Sequence, residues 1–262
     1  MRWTWLKAVP VVIAVAVVGA GAALGFGRFE PPVVPDSVRI STGAPDAASL
    51  TGTWKPPKPP TPTSYAVADA AGSVVHLYQE PDVPLASKPE MANPTWEGLP
   101  VVFLVLEDKG PWLHVRVSSR PNNMTAWVAR SEVRLRTVPN RVLIEVGARR
   151  VRVFHGDAVL MEETVAVGTD RTPTPLGNFF VDGAVKVPYD TGPYGAYQVS
   201  VSGFSEVLQT FGGGVGQIAM HGTNRPDLLG QPVSNGCIRM TNDNITKMVQ
   251  LAPLGTPVTI VA

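Results

Sequence analysis

Past residue 65, a single stretch of this chain, Ile245, Met248, Val249 and Ala252, repeats apolar residues at helical spacing. Thr241 or Asn242 is placed to cap that helix, and Gly255 and Pro257 to end it ahead of a closing strand, Val258 to Val261. Elsewhere the apolar residues fall in short alternating runs between turns, and no repeat of fixed period appears. The expected fold is therefore mainly β, with one C-terminal helix.

The runs form two groups. In the first, residues 65–137, Val101 to Leu106 is apolar on both strand faces and so expected to be buried. Asp108 to Pro111 turns the chain, and Leu113, Val115 and Val117 then alternate with Trp112, His114 and Arg116. Pro121-Asn122-Asn123 turns it again before Ala126-Trp127-Val128. About 70 residues of closely spaced strands suit a small β-barrel or sandwich. Trp112 and Trp127 are read as core or barrel-end packing, with a peptide groove as the other possibility, and His114 as an outward strand residue. The second group, residues 138–262, restarts with Val142, Ile144 and Val146, turns at 147–150, and continues through Val151 and Val153. It carries a further strand over Thr164–Val167 and turn chemistry at Thr172–Gly177, and then reaches Phe179, Phe180 and Val181.

Residues 1–64 differ in kind. Arg2 and Lys7 precede an uncharged stretch, Ala8 to Gly27, closed by Arg28. Twenty residues of helix span about 30 Å, the thickness of a bilayer core. Ala20-Gly21-Ala22 equally offers a small-x-small cleavage site. Residues 1–28 are thus a signal peptide or a membrane anchor, and either places the rest outside the cytoplasm, secreted or membrane-anchored in the cell envelope. Residues 29–64, with nine prolines, are read as an extended linker.

Composition excludes several functions. The 22 Lys and Arg against 21 Asp and Glu, with no basic block, argue against nucleic acid as a partner. One cysteine makes no intrachain disulfide, and His76, His114, His155 and His221 are too scattered for a zinc cluster. The lone Cys237 is either a small buried hydrophobe or a working thiol, and its surroundings decide which.

Thiol catalysis needs a base to take the proton and donors for a developing oxyanion. His221-Gly222-Thr223 and, sixteen residues after the His, Ser234-Asn235-Gly236-Cys237-Ile238-Arg239-Met240 supply both types of group. Gly236 permits a turn whose N–H groups converge, and Arg239 adds a cation that favours the thiolate or holds a substrate carboxylate. The His-first order is unlike papain, and the caspase string is absent.

These two motifs, with Pro173-Thr174-Pro175-Leu176-Gly177 upstream, resemble the YkuD-type L,D-transpeptidases of bacterial cell walls over about residues 140–262. LYQEP (77–81), GPWLHV (110–115), RPNN (120–123) and AWV (126–128) resemble bacterial SH3-like modules. The resemblance implies an SH3-like module over 65–137 and a β-rich catalytic domain over 138–262, without metal or organic cofactor. Its partners are donor and acceptor stem peptides of peptidoglycan at the inner face of the wall, and the membrane where the leader is retained. Cys237 is the implied nucleophile, His221 the proton acceptor and donor, and Gly222 the carbonyl that orients His221. Asn235, Gly236 and Cys237 are the implied oxyanion N–H donors. Arg239 and Ser234 face substrate, Ser234 as a hydrogen-bonding support. Asn235 stands where the family usually has His, and Asn cannot titrate. The implied activity is 3→3 cross-linking with release of D-Ala. The alternatives are an L,D-carboxypeptidase or cross-link hydrolase, or a catalytically weak wall-binding protein.

Overall fold

The computed structural model describes residues 61–262. The expected leader and all but the end of the expected linker lie outside the described residues. The N-terminal strands are β1 (Tyr65–Ala70), β2 (Val74–His76), β3 (Tyr78–Glu80), β4 (Val83–Pro84), β5 (Glu90–Ala92), β6 (Val102–Lys109), β7 (Trp112–Arg116), β8 (Thr125–Ala129) and β9 (Val133–Val138). Seven pair in the order β4-β3-β8-β7-β6-β1-β9, and β2 pairs with β5. Alternation aims Phe103, Leu113, Val115 and Val128 into one apolar core. Trp112 and Trp127, expected in the core or at the barrel end, lie half-buried on the opposite face of β7 and β8. There Trp112 meets Tyr78 edge-on at 4.8 Å, and Trp127 stacks on His114 at 4.9 Å.

The C-terminal elements are β10 (Asn140–Glu145), β11 (Arg150–His155), β12 (Ala158–Thr164), β13 (Val167–Gly168), β14 (Gly177–Lys186), β15 (Tyr197–Phe204), β16 (Gln217–His221), β17 (Pro232–Ser234), β18 (Ile238–Arg239), α1 (Asn242–Leu251) and β19 (Pro257–Val261). The strand expected over Thr164–Val167 is thus split: β12 ends at Thr164 and β13 begins at Val167. Eight strands form one sheet in the order β12-β11-β10-β19-β14-β15-β16-β18. Val142, Ile144, Phe179, Val199, Met220 and Ile238 face its core, which α1 completes with Ile245 and Met248. Thr241 caps α1, its hydroxyl accepting from Asn244 N–H at 3.2 Å.

A third apolar cluster joins the two sheets: Val67, Val102, Leu104 and Val138 close on Phe180 of β14. This explains the doubly apolar run in β6. Phe103 faces one core while Val102 and Leu104 face the other, and burial stops before Leu106. The Arg120–Asn123 turn adds polar fastening. Arg120 donates to the carbonyls of Ser205, Leu208 and Val215 at 2.7, 3.1 and 2.9 Å. The Asn122 amide pairs with both N–H and C=O of Phe204 at 2.8 Å, as a neighbouring strand would.

Candidate active site

Strands β16 and β18 run parallel, with Met220 opposite Ile238 and His221 opposite Arg239. Met220 and Ile238 are fully buried in the core. Side chains alternate along a strand, so His221 and Arg239 project from the other face, joined there by Cys237 two residues before Arg239. The backbone fixes this placement: Met240 N–H donates to His221 O at 3.0 Å, and Arg239 exchanges two 2.9 Å bonds with Ala166.

His221 is 3% exposed, and its Nδ1 lies 2.6 Å from Gly222 O. A carbonyl cannot donate, so Nδ1 carries the proton and Nε2 keeps its lone pair. Burial pushes the imidazole down to about 4, against the Gly222 bond that raises it, and Arg239 adds to the lowering. The imidazole is therefore neutral at pH 7. Cys237 is an unpaired, partly exposed thiol. Burial raises it above its usual value, while a hydrogen bond from the Ala219 backbone and the Arg239 charge oppose the rise. The site at rest holds a neutral thiol and a neutral base on one sheet face.

The segment before Cys237 shows how its amides are aimed. Thr172 Oγ1 donates to Ser234 O at 3.2 Å, and Thr174 Oγ1 to Gly236 O at 2.9 Å. In a planar trans peptide the following N–H points opposite the carbonyl. The N–H groups of Asn235 and Cys237 therefore face away from these hydroxyls, and neither has an acceptor among the described residues. Gly236 N–H, expected with them as an oxyanion donor, instead donates to Ser234 Oγ at 3.1 Å. Ser234, expected to face substrate, is 1% exposed, and its hydroxyl also donates to Cys237 O at 2.5 Å. Its role is to brace the turn. Gly236 has φ +111°, and a Cβ there would press on Ile218. Asn235 is exposed and makes no hydrogen bond among the described residues. Arg239 is half-buried, and its Nε is buried with no hydrogen-bond partner among the described residues, an unused donor on the thiol face.

Four residues contribute in ways not read from the sequence. Tyr194 meets the His221 ring edge-on at 5.2 Å, and burial and the neighbouring Cys237 both raise its phenol. Asn242, the first residue of α1, holds the loop that carries Tyr194. Its Oδ1 accepts from Ala196 N–H at 3.2 Å, and its Nδ2 donates to Asp190 O at 3.0 Å. Thr172 and Thr174 were legible as turn residues, but their hydroxyl partners lie 62 residues away.

Fold and site together assign the chain to β-rich domains that present an imidazole and an unpaired thiol on one sheet face. The family model described as the L,D-transpeptidase catalytic domain, YkuD, matches residues 139–260, and the chain belongs to that family. Two proteins named YkuD, from Bacillus subtilis (strain 168) and Bacillus licheniformis, are each 35% identical over 124 residues, 47% of this chain and 67% of theirs. Their L,D-transpeptidase names are themselves provisional. The structure of an L,D-transpeptidase from Mycobacterium smegmatis covers 62% of this chain and 90% of its own, at 17% identity and a TM-score of 0.38.

Proposed function

We propose that this protein is an extracytoplasmic peptidoglycan L,D-transpeptidase that forms 3→3 cross-links through a Cys237 thioester, with residues 65–137 as an SH3-like module. The observation that carries the reading is the β16–β18 register, which sets Cys237 on the sheet face of a His221 whose Nε2 is free to accept a proton.

The thiol sulfur attacks the carbonyl carbon of the donor stem's diamino acid, and its proton passes to His221 Nε2. The oxyanion that forms is met by the N–H groups of Asn235 and Cys237. The C–N bond then breaks, His221 returns the proton to the departing D-Ala amine, and the thioester remains. A side-chain amine of a second stem attacks that carbonyl, its proton again passing to His221, and the thiol leaves reprotonated. Arg239 Nε offers the donor stem a hydrogen bond and a positive charge.

Exposed, unbonded Asn235 needs only its backbone N–H for this scheme, so the chain retains activity without His at that position. Mass spectrometry after incubation with a carbapenem tests the reading: a single adduct on Cys237 is expected, and its absence sinks it. Products from purified stem peptides then separate cross-linking from hydrolysis, as dimers identify the transpeptidase and tripeptides alone a carboxypeptidase.

A further inference from the structure

Between the two sheets lies a cavity of about 600 Å³, lined from one side by Trp96, Glu97 and Ser118 and from the other by Asp182, Ser200 and Gln217. It belongs to the same sheet face as the thiol. Ser200 of β15 stands opposite Ala219 of β16, and Ala219 precedes the Met220–Ile238 pair, so Cys237 flanks Ala219 on the far side. Ser200 and Cys237 are thus two strand spacings apart, roughly 10 Å, with a small side chain between them.

The floor of the cavity is a carboxylate without a counter-charge. Asp182 accepts from Ser118 Oγ, from Ser200 Oγ at 2.7 Å and from Gln217 Nε2 at 2.6 Å, all neutral donors. It forms no ion pair among the described residues. The basic side chains lining the same cavity are engaged elsewhere: Lys88 donates to Ser119 Oγ, and Arg120 to its three carbonyls. Burial raises Asp182, and burial together with the charge of Asp182 raises Glu97; neither carboxyl has an ion-pair partner among the described residues. A buried carboxylate held this way costs stability until a cation joins it.

We infer that this cavity reads the side chain of the donor residue attacked by Cys237, seating a primary ammonium against Asp182 and Glu97. The inference rests on the transpeptidase reading and deepens it. From carbonyl carbon to side-chain nitrogen, a diamino acid extends through six single bonds, about 7 Å. The hydrogen bond to a carboxylate adds about 3 Å. That reach matches the roughly 10 Å from the thiol to Ser200, whose hydroxyl donates to the Asp182 carboxylate at 2.7 Å. The methylenes lie along Ala219, and only an amine-tipped chain of this length meets both ends.

The experiment compares two tetrapeptide donors, one with a free side-chain amine and one acetylated there, by D-Ala release. Wild-type protein is expected to favour the free amine at least tenfold in kcat/KM, mainly through KM. Asp182→Asn and Glu97→Gln are each expected to shrink that preference severalfold, by slowing the free-amine donor and sparing the acetylated one. Glu97 is exposed and makes no hydrogen bond among the described residues, so its variant serves even if Asp182→Asn does not fold. Equal use of both donors by wild type, or an undiminished preference in the folded variants, overturns the inference. In either case a carbapenem adduct on Cys237 leaves the transpeptidase reading standing, whereas no adduct and no D-Ala release removes both.

Discussion

The Gly222 carbonyl oxygen sits 2.6 Å from Nδ1 of His221, a residue whose neighbour in sequence thereby fixes its tautomer. The ring is buried neutral, with its value in the folded state at about 4 against an ordinary 6.5. The folded form therefore binds the proton less well than the unfolded chain. The stability this brings is complete above pH 6.5 and is lost as pH falls toward 4. The size is roughly 3 kcal/mol between pH 7 and 4. Urea denaturation of wild type and His221→Gln at both pH values checks it: wild type loses about 3 kcal/mol more on acidification. Parallel losses would show that the imidazole is not buried neutral.

Cys237 predicts a second pH dependence. Burial holds its thiol up, opposed by the Ala219 backbone and by Arg239. Alkylation by iodoacetamide should rise steadily with pH through 9 and show no plateau between pH 5 and 7, the signature of a preformed thiolate–imidazolium pair. Replacing Arg239 by Gln removes a charge that favours the thiolate and should slow alkylation at pH 8 severalfold, while Arg239→Lys recovers most of it. An inflection below pH 7 contradicts the neutral pair.

The Ser234 hydroxyl joins two backbone groups, accepting from Gly236 N–H and donating to Cys237 O. Ser234→Ala leaves both unmatched in a site that is 1% exposed, at a cost of about 1–3 kcal/mol. It also frees the turn that aims the Asn235 and Cys237 amides. Carbapenem acylation should fall at least tenfold, with Ser234→Thr keeping most of the rate. Loss of stability with an unchanged acylation rate would show that the brace does not control the amides.

Asn242 supports His221 indirectly. It fills the crevice between Gly195 and Gly222, and a Cβ on either glycine would run into its Oδ1. Gly195 also has φ +61°, where a side chain is strained. Asn242→Ala drops two hydrogen bonds to the 190–196 loop and unseats Tyr194 from the imidazole. Acylation should slow by about tenfold while Cys237 alkylation keeps its rise with pH, since Ala219 and Arg239, which act on the thiol, are untouched. Nuclear magnetic resonance of the His221 ring should shift with it. An unmoved ring signal would separate Asn242 from the site.

How much of this was legible follows from the range of each interaction. Alternation placed Val142, Ile144, Val151 and Val153 inward, and helical spacing placed Ile245 and Met248, because burial on a regular element is a local pattern. His221 and Cys237 were legible because their motifs are short. The Tyr194–His221 contact was not, since it joins a loop without periodicity to a strand. Nor could the sequence tell that Gly236 N–H is consumed by Ser234, which depends on where the Thr172 and Thr174 hydroxyls come to lie. RPNN reads as a turn and is one, yet its side chains serve a strand some 80 residues away. The outward tryptophans misled because their bulk suggests a core, whereas β7 had already given its inward positions to Leu113 and Val115.

The two sheets should unfold as one. Phe180 belongs to β14 by sequence, yet it packs on Val67, Val102, Leu104 and Val138 of the N-terminal sheet, and is itself fully buried. Arg120 and Asn122 tie the same two parts through five hydrogen bonds to the 204–215 backbone. Neither sheet can lose its fold without exposing part of this shared cluster. Chemical denaturation of residues 61–262 should therefore show a single transition, coincident by tryptophan fluorescence and far-ultraviolet circular dichroism. Phe180→Ala should cost about 3–5 kcal/mol from lost burial and the cavity left behind. Arg120→Ala should separate the probes, because all six tryptophans belong to residues 1–137 and only Trp96, Trp112 and Trp127 lie among the described ones. Two resolved transitions in wild type would mean that the cluster around Phe180 is too small to couple the sheets.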